Sequence, residues 1–542
     1  MDKFRRWLGL VTTRFVYGEK LLAWFWRLLS ILIVTQIFVV QLIDANVKID
    51  GVRYFSLNDD QMISMRYARN LAQGQGLVWN YGERVEGYTN FLWVLVMAVV
   101  HLFPVGDANA ALVIKAINWG LTILILILSE KLLKYHLPQP GLALPALLLS
   151  LATCMDVIYW ATNGFEISLL TVVLLFTILR LLNNQNDTRQ CVSTALILGL
   201  VPLIRSDAYP LWLAMCVLAS GILVDRRKIL VFWVTALIFP VLHVGFRYGY
   251  YRELLPNAYY LKVYDLQNRY VLGFRYILNF ARNYNIALLF TVLGAVYSKS
   301  KPRCLLIGGF VTNGIYIMFV GGDFLPYSRF WAPLIPLLLT LALVGVVDIA
   351  RPTQGLHSLL FLSIAITVYV QVGVHRYKDL TSTATIPGIV AGVMIYQNTD
   401  PGAKIAVDWA GRIPYFSHRY SIDMLGKTNA YIAKQPARFI ADTLVLIGHT
   451  KYDLDYTFHQ RPDFVAINAP YELIIEYSKS REQTRRVWDF QAILAKDSAF
   501  LTNYLPNPIR DSFLLQYCSI YAYRNTNSSQ DPVDWNPVII ER

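Results

Sequence analysis

Residues 22–43 read LAWFWRLLSILIVTQIFVVQLI, and residues 58–72 read NDDQMISMRYARNLA. The first stretch is apolar, with Arg27 as its one charge. A helix crosses a bilayer with about 20 such residues, so this run predicts a membrane span. Trp24 and Trp26 suit the lipid–water interface, and Arg27 can extend its guanidinium to it. Lys3, Arg5, Arg6, Arg14 and Lys20 precede the run, which is too long for a signal-peptide core and lacks a small-x-small cleavage site. A retained first span with its N-terminus in the cytoplasm is therefore expected. The second stretch is polar. Asn58 is placed to cap a helix and Gln61 to close a capping box. Ile63, Tyr67 and Leu71 recur at helical spacing. Asp59 and Asp60 then open a short amphipathic helix on the membrane surface, just beyond the first span.

The 542 residues are 55% hydrophobic and only 16% charged, against about 25% charged in soluble domains. The apolar excess lies before about residue 375. Runs near 22–43, 110–130, 141–159, 165–182, 190–205, 207–224, 229–248, 284–298, 304–320, 331–349 and 357–375 predict about eleven spans. The stretch Phe91–Phe103 is short and reads as an interfacial or re-entrant helix. Basic loops at Arg226–Lys228 and Lys299–Arg303, with Lys131, Lys134 and Arg351, belong in the cytoplasm. Alternation places Asn46–Thr89, Trp160–Glu166, Arg205–Asp207, Tyr250–Arg282 and Gly321–Arg329 on the other face, together with the polar tail. Lys and Arg concentrate in the short loops between apolar runs, so the +13 net charge points to the lipid bilayer and not to nucleic acid as the expected partner. Strand-like segments at Lys404–Val407, Leu444–Ile447 and Asp463–Ile467 alternate with helix-like ones at Tyr431–Asp442 and Gln483–Lys496. The expected architecture is an α-helical polytopic membrane domain, 1–375, whose outer loop 46–89 holds the Asp-Asp pair, and a soluble, extracytoplasmic α/β domain, 376–542. Cys518 has no cysteine partner in the tail, and Cys154, Cys191, Cys216 and Cys304 lie in or beside apolar runs. Neither a tail disulfide nor a CxxC metal site is expected.

Acids in a first turn favour the helix dipole. Asp59 and Asp60 also lie at the depth where a lipid-linked phosphate would present itself. Gly74, Gly76, Gly82 and Gly87 make turns around Glu83, Arg84 and Glu86, which form either a surface ion-pair cluster or the wall of a sugar site. Arg205 with Asp207, and Arg329 with Asp323, set charge pairs at span ends, a position that favours function. Lys262 is either an interface anchor or a phosphate ligand. Asp408-Trp409-Ala410-Gly411 reads as a strand-to-helix turn with a capping acid. Trp409 and Tyr415 also offer aromatic stacking surfaces.

Asp59-Asp60, Ile63-Ser64, Arg66–Ala72, Gly76-Leu77-Val78 and Gly82–Trp93 together resemble the opening motif of a GT-C-type membrane glycosyltransferase family. That family includes the terminal arabinofuranosyltransferase of cell-wall arabinan and related bacterial proteins with virulence or flagellar-motor phenotypes. Shorter matches continue in Trp160–Glu166, Arg205–Asp207, Leu254–Lys262, Gly321–Phe330, Asp408–Tyr415 and Arg461–Asp463. The resemblance implies a GT-C fold and inverting transfer of a sugar, arabinofuranose or another pentose or hexose, from a polyprenyl-phosphate donor. The acceptor is a hydroxyl of a cell-envelope glycan or glycolipid. It implies an aspartate of the first outer loop as base, here Asp59 or Asp60. Donor-binding candidates are Arg66, Glu83, Arg84, Glu86, Arg205, Asp207, Lys262, Asp323 and Arg329; acceptor-binding candidates are Trp409 and Tyr415. A lipid-phosphate leaving group facing cations requires no metal, and no cofactor is expected. The implied location is the inner membrane of a bacterium, with the site extracytoplasmic. Asn163-Gly164-Phe165-Glu166 and Arg205-Ser206-Asp207 depart from the usual pattern, which bears on substrate detail. A carrier or flippase of lipid-linked sugars, or a non-catalytic envelope or motility assembly protein, is the alternative. Acids clustered at one face favour the enzyme over mid-span transport.

Overall fold

The computed structural model describes the backbone of residues 2–183, 187–263, 269–323, 325, 327–349, 386–438, 448–468, 489–506, 519–523 and 539–541. Among them, five helices are long and apolar enough to cross a membrane: Lys20–Asp44, Asp107–His136, Arg226–Tyr251, Lys301–Val320 and Ala332–Ile349. A sixth candidate is the pair Ala143–Thr153 and Met155–Thr162, bent by 46°. The other predicted runs are also helical, but as shorter pieces: Ile167–Asn183, Thr188–Ile204, Ser206–Ile222 and Asn285–Ser298. Length alone therefore supports five or six spans among the described residues, which hold all but one of the eleven expected runs. Two of the breaks between these pieces fall at the polar turns Asn163–Glu166 and Arg205–Asp207, which carry candidate site residues. The candidate span 357–375, Arg351, Cys518 and the strand Leu444–Ile447 lie outside the described residues. Phe91–His101 is an 11-residue helix, about 16 Å long and well short of a bilayer core of about 30 Å.

The first helix, α1 (Asp2–Asp44), leads into a hairpin of β1 (Asn46–Ile49) and β2 (Val52–Phe55). Its turn residues Asp50 and Gly51 have φ of 48° and 81°, the paired left-handed geometry that suits a two-residue hairpin. α2 (Asp59–Ala72) follows, with Asn58 capping it by accepting from the Asp60 amide at 3.1 Å. Gln61 does not close a capping box. Its side chain turns instead to Glu166, 3.2 Å away.

The tail holds a five-stranded mixed sheet in the order β4-β3-β5-β7-β6: β3 (Lys404–Val407), β4 (Tyr420–Asp423), β5 (Phe464–Ile467), β6 (Tyr504–Pro506) and β7 (Ser519–Tyr523). β3 runs parallel to β4 and β5, while β7 is antiparallel to β5 and β6. The predicted strands at 404–407 and 463–467 are in place. Of the two predicted tail helices, Ala430–Ala433 and Asp489–Leu494 are the helical parts among the described residues.

α2 is not the surface helix that its amphipathic pattern predicts. Asp59 and all residues from Gln61 to Asn70 are buried. The tail covers the face that would meet water, and one core runs from Met62, Met65 and Tyr67 to Ile405, Tyr415 and Phe416. A last strand, β8 (Ile540–Glu541), pairs with β1. The first loop and the tail are thus packed as one unit and lie on the same side of any membrane the helices cross.

Candidate active site

A cavity of about 440 Å³ lies where α2, the 87–90 turn, the broken helix ends and the tail meet. Five cations line it (Arg205, Arg247, Lys262, Arg329 and Lys427), against three carboxylates (Asp60, Glu166 and Asp207). Asp60 is half-buried at its edge. Its carboxylate takes Lys427 Nζ at 2.8 Å, with Arg329 at 3.8 Å. Burial pushes the Asp60 carboxyl up, but Lys427, Lys262 and Arg329 outweigh it and hold the group well below the usual carboxylate range. Burial pushes the Lys262 ammonium down, with Arg329 adding to the effect. Lys427 moves the other way, because Asp60 and Asp59 overcome its burial.

The remaining charges are held in a rigid lattice. Arg205 donates to Glu166 at 2.5 Å and through Nε to Asp207 at 2.8 Å. Glu166 in turn accepts from Gln61 and Asn90. Arg329 Nε faces Asp323 at 2.5 Å, and that carboxylate is almost wholly buried. Arg247 grips Glu86 through two nitrogens, at 2.5 and 3.0 Å. Burial, opposed by Arg247, lifts the Glu86 carboxyl to about 6. Lys262 has no carboxylate within ion-pair distance among the described residues, and so presents a cation to the cavity without a fixed counter-ion.

The structure separates the adjacent acids. The Asp59 carboxylate turns away from the cavity and accepts the amides of Gly411 and Arg412, at 3.1 and 2.9 Å. A Cβ on Gly411 would stand 1.9 Å from the Asp59 carbonyl oxygen, so only glycine allows this approach. Asp59 joins α2 to the tail; Asp60 faces the cavity.

Several predicted site residues are elsewhere. Arg66 is buried, and its guanidinium is spent on the carbonyls of Trp79, Pro414 and Arg419, with Asn80 and Ser421 completing its bonds. Glu83 accepts from Tyr420 and Asn80, away from the cavity. Arg84 is exposed and lies over the Tyr250 ring. Glu86 reaches the cavity only through Arg247. Tyr415 is fully buried beneath Arg69, with its hydroxyl 3.3 Å from Asp107, and cannot offer a face to a sugar. Trp409 is half-buried near Arg412 and does not line the cavity. Lys427, Arg247 and the Gln61–Asn90–Glu166 network were not singled out from sequence. Among the described residues, no three His, Cys, Asp or Glu side chains are grouped to hold a metal ion.

Residues 378–505 match the model of a domain of unknown function, DUF8728. Terminal β-(1→2)-arabinofuranosyltransferases of Mycobacterium tuberculosis and Corynebacterium glutamicum are each 26% identical to this chain, over 340 and 351 residues. These matches cover 54% and 56% of this chain, and 53% and 50% of the relatives. The chain thus spans about half the length of the curated relatives it matches. Among solved structures, ArnT from Cupriavidus metallidurans bound to undecaprenyl phosphate matches with a TM-score of 0.53 at 13% identity, over 84% of this chain and 96% of that one. AglB from Archaeoglobus fulgidus, in complex with an inhibitory peptide and a dolichol-phosphate, matches with 0.50 at 12% identity, over 95% and 75%. Identities this low speak to fold alone. In fold the chain is similar to ArnT and AglB, and in sequence it is similar to terminal arabinofuranosyltransferases.

Proposed function

We propose that this chain is an inverting glycosyltransferase that moves a sugar from a polyprenyl-phosphate donor to a hydroxyl of a cell-envelope glycan or glycolipid. The observation that carries this reading is the Asp60 carboxylate set among Lys262, Arg329 and Lys427 in one cavity. In this mechanism the acceptor oxygen attacks the anomeric carbon and the bond from that carbon to the phosphate oxygen breaks. The hydroxyl proton passes to Asp60. Negative charge grows on the departing phosphate, so cations fixed beforehand favour the transition state over the ground state. The planar fork of Arg329 suits phosphate, and Lys262 adds a point charge. Without donor, the three cations keep Asp60 ionised but weakly basic. A bound phosphate competes for the same cations and restores basicity to Asp60.

ArnT and AglB, the two fold relatives, are seen with undecaprenyl phosphate and a dolichol-phosphate, both polyprenyl phosphates, which supports this donor class. Arabinofuranose is the sugar to test first, because two sequence relatives bear that name. The proposed setting is a bacterial inner membrane with the cavity and tail extracytoplasmic, as the basic loops Arg226–Lys228 and Lys299–Arg303 direct. The test is transfer of radiolabel from polyprenyl-phosphate sugars to envelope glycans by the purified chain. Transfer by wild type and its loss in Asp60→Asn support the reading. Movement of intact lipid-linked sugar across vesicles without transfer would establish the carrier instead.

A further inference from the structure

A second cavity, of about 180 Å³, opens between the first loop and the tail. Its chemistry differs from that of the first. No Lys or Arg is among its lining residues, whereas five line the first cavity. An anion has nothing to bind there. What it offers are aromatic faces, neutral hydrogen-bonding groups and the carboxylates of Glu83 and Asp423, which accept from hydroxyls.

Tyr431 and Tyr456 stack with ring centroids 4.2 Å apart, and Tyr431 is 46% exposed, so the pair forms an aromatic shelf on the cavity wall. Glu83 is anchored by the Tyr420 hydroxyl and by Asn80 Nδ2 at 3.0 Å, and its carboxylate keeps further lone pairs for a hydroxyl donor. Gln460 lines the same wall, with an amide nitrogen that a turn of the side chain would bring to a bound molecule. Its Nε2 is buried and has no hydrogen-bond partner among the described residues. A buried donor in that state is costly, and such groups are normally met by a partner. Flat apolar faces beside paired donors and acceptors match the C–H face and the hydroxyls of a neutral sugar ring.

The second cavity is separated from the first by a thin partition. Lys427 reaches Asp60 in the first cavity, and the next residue, Thr428, lines the second. Gly87 lines the first cavity, and a Cβ there would stand 2.7 Å from Thr428 Cγ2 and 3.1 Å from the Lys427 carbonyl oxygen. Asn257 Nδ2 holds this turn by donating to the carbonyls of Gly426 and Lys427, at 2.8 and 3.0 Å.

We propose that the second cavity is a subsite for inner, neutral sugar units of the acceptor glycan, placing the terminal hydroxyl over the 427–429 turn toward Asp60. This rests on the reading of the first cavity as the donor site. The experiment is saturation-transfer NMR on the purified full chain with three neutral probes: an α-(1→5)-linked arabinofuranotetraose, a mannotetraose and maltotetraose. Undecaprenyl phosphate binding is measured on the same samples. At least one probe should bind wild type. Tyr431→Ala and Gln460→Leu should each weaken that probe about tenfold, Tyr431→Phe should keep it within about twofold, and all three variants should keep undecaprenyl phosphate binding. If none of the probes binds wild type, or if Tyr431→Ala and Gln460→Leu bind as wild type does, the proposal is overturned. Should Tyr431→Ala lose both ligands, as an unfolded chain would, Gln460→Leu and Tyr431→Phe decide. Saccharide binding that follows the Tyr431 and Gln460 pattern in a chain that does not bind undecaprenyl phosphate would keep this subsite and sink the donor reading.

Discussion

Lys427 Nζ lies 2.8 Å from Asp60 Oδ1, across 367 residues of sequence, so the tail supplies a cation to the carboxylate of the first loop. The cavity is therefore incomplete without the tail. The bond also separates the two adjacent acids in role, because Asp59 is turned to the backbone of Gly411 and Arg412.

This division predicts unequal effects of one substitution at neighbouring positions. Asp60→Asn keeps size and removes the proton acceptor, so turnover should fall about 10²–10⁴-fold. Undecaprenyl phosphate binding should hold or tighten, since a competing negative charge is gone. Asp59→Asn should instead lower the melting temperature, because Asn offers one oxygen where Asp59 accepts two buried amides, and the amide left without an acceptor costs about 1–3 kcal/mol. Turnover and thermal unfolding of both purified variants check this. Near-normal turnover in Asp60→Asn would end the carboxylate mechanism.

The pH dependence follows from the same pair. Asp60 is held well below the usual carboxylate range. The acid limb of kcat/KM, which reports the free enzyme, should therefore lie below about pH 3.9, the ordinary aspartate value. Lys427→Met removes the largest influence that lowers Asp60, so the limb should move to higher pH. The sign for stability agrees. The ion pair stabilises the fold above the unfolded value of about 3.9 and is lost as pH falls toward the lower folded value. A pH profile unchanged by Lys427→Met would remove Asp60 as the titrating group.

Arg66 should behave as a structural residue although it sits within the motif that carries the family resemblance. Its guanidinium bridges the Trp79 carbonyl to those of Pro414 and Arg419. Arg66→Ala strands these buried acceptors, and by the scale of charged hydrogen bonds the loss is about 3 kcal/mol or more. The expected readout is a lower melting temperature and faster proteolysis of the tail. A folded Arg66→Ala chain with intact stability and a selective loss of donor binding would return Arg66 to the donor site.

The contrast between Arg66 and Lys262 shows what sequence can and cannot convey. Hydropathy located the helical runs because crossing lipid is a local, additive demand on about 20 residues. It also placed Asp60, Arg205, Asp207, Lys262 and Arg329 at loop ends, and these do converge on one cavity. Periodicity could not show that α2 is buried on its polar side, because the acceptors that satisfy Arg66 and Arg69 come from the tail. Lys427 carries no local mark at all. It is one lysine in a Gly426–Asn429 turn, and only tertiary contact gives it a role. Trp409 and Tyr415 stand out in sequence only as aromatics, a property that serves a core as well as a sugar, and Tyr415 lies in the core.

Lys262 and Arg329 both face the cavity, yet their removal should read out differently. Lys262 has no carboxylate in ion-pair range among the described residues, so Lys262→Ala leaves no buried acid unpaired. It should weaken undecaprenyl phosphate binding about tenfold, with little change in melting temperature. Arg329 is the partner of Asp323, whose side chain is only 3% exposed. Arg329→Ala loses a phosphate ligand and also leaves a buried carboxylate without its cation, a change that typically costs about 3–5 kcal/mol. It should therefore weaken binding and destabilise the fold together. Arg329→Ala with Asp323→Asn should recover much of the stability but none of the binding, because the second change removes the unpaired charge without restoring the fork. Binding and thermal unfolding measured on the three variants separate the two roles. If the double variant recovers donor binding along with stability, Arg329 acts only by holding Asp323, and the donor phosphate must be met by Lys262 and Lys427.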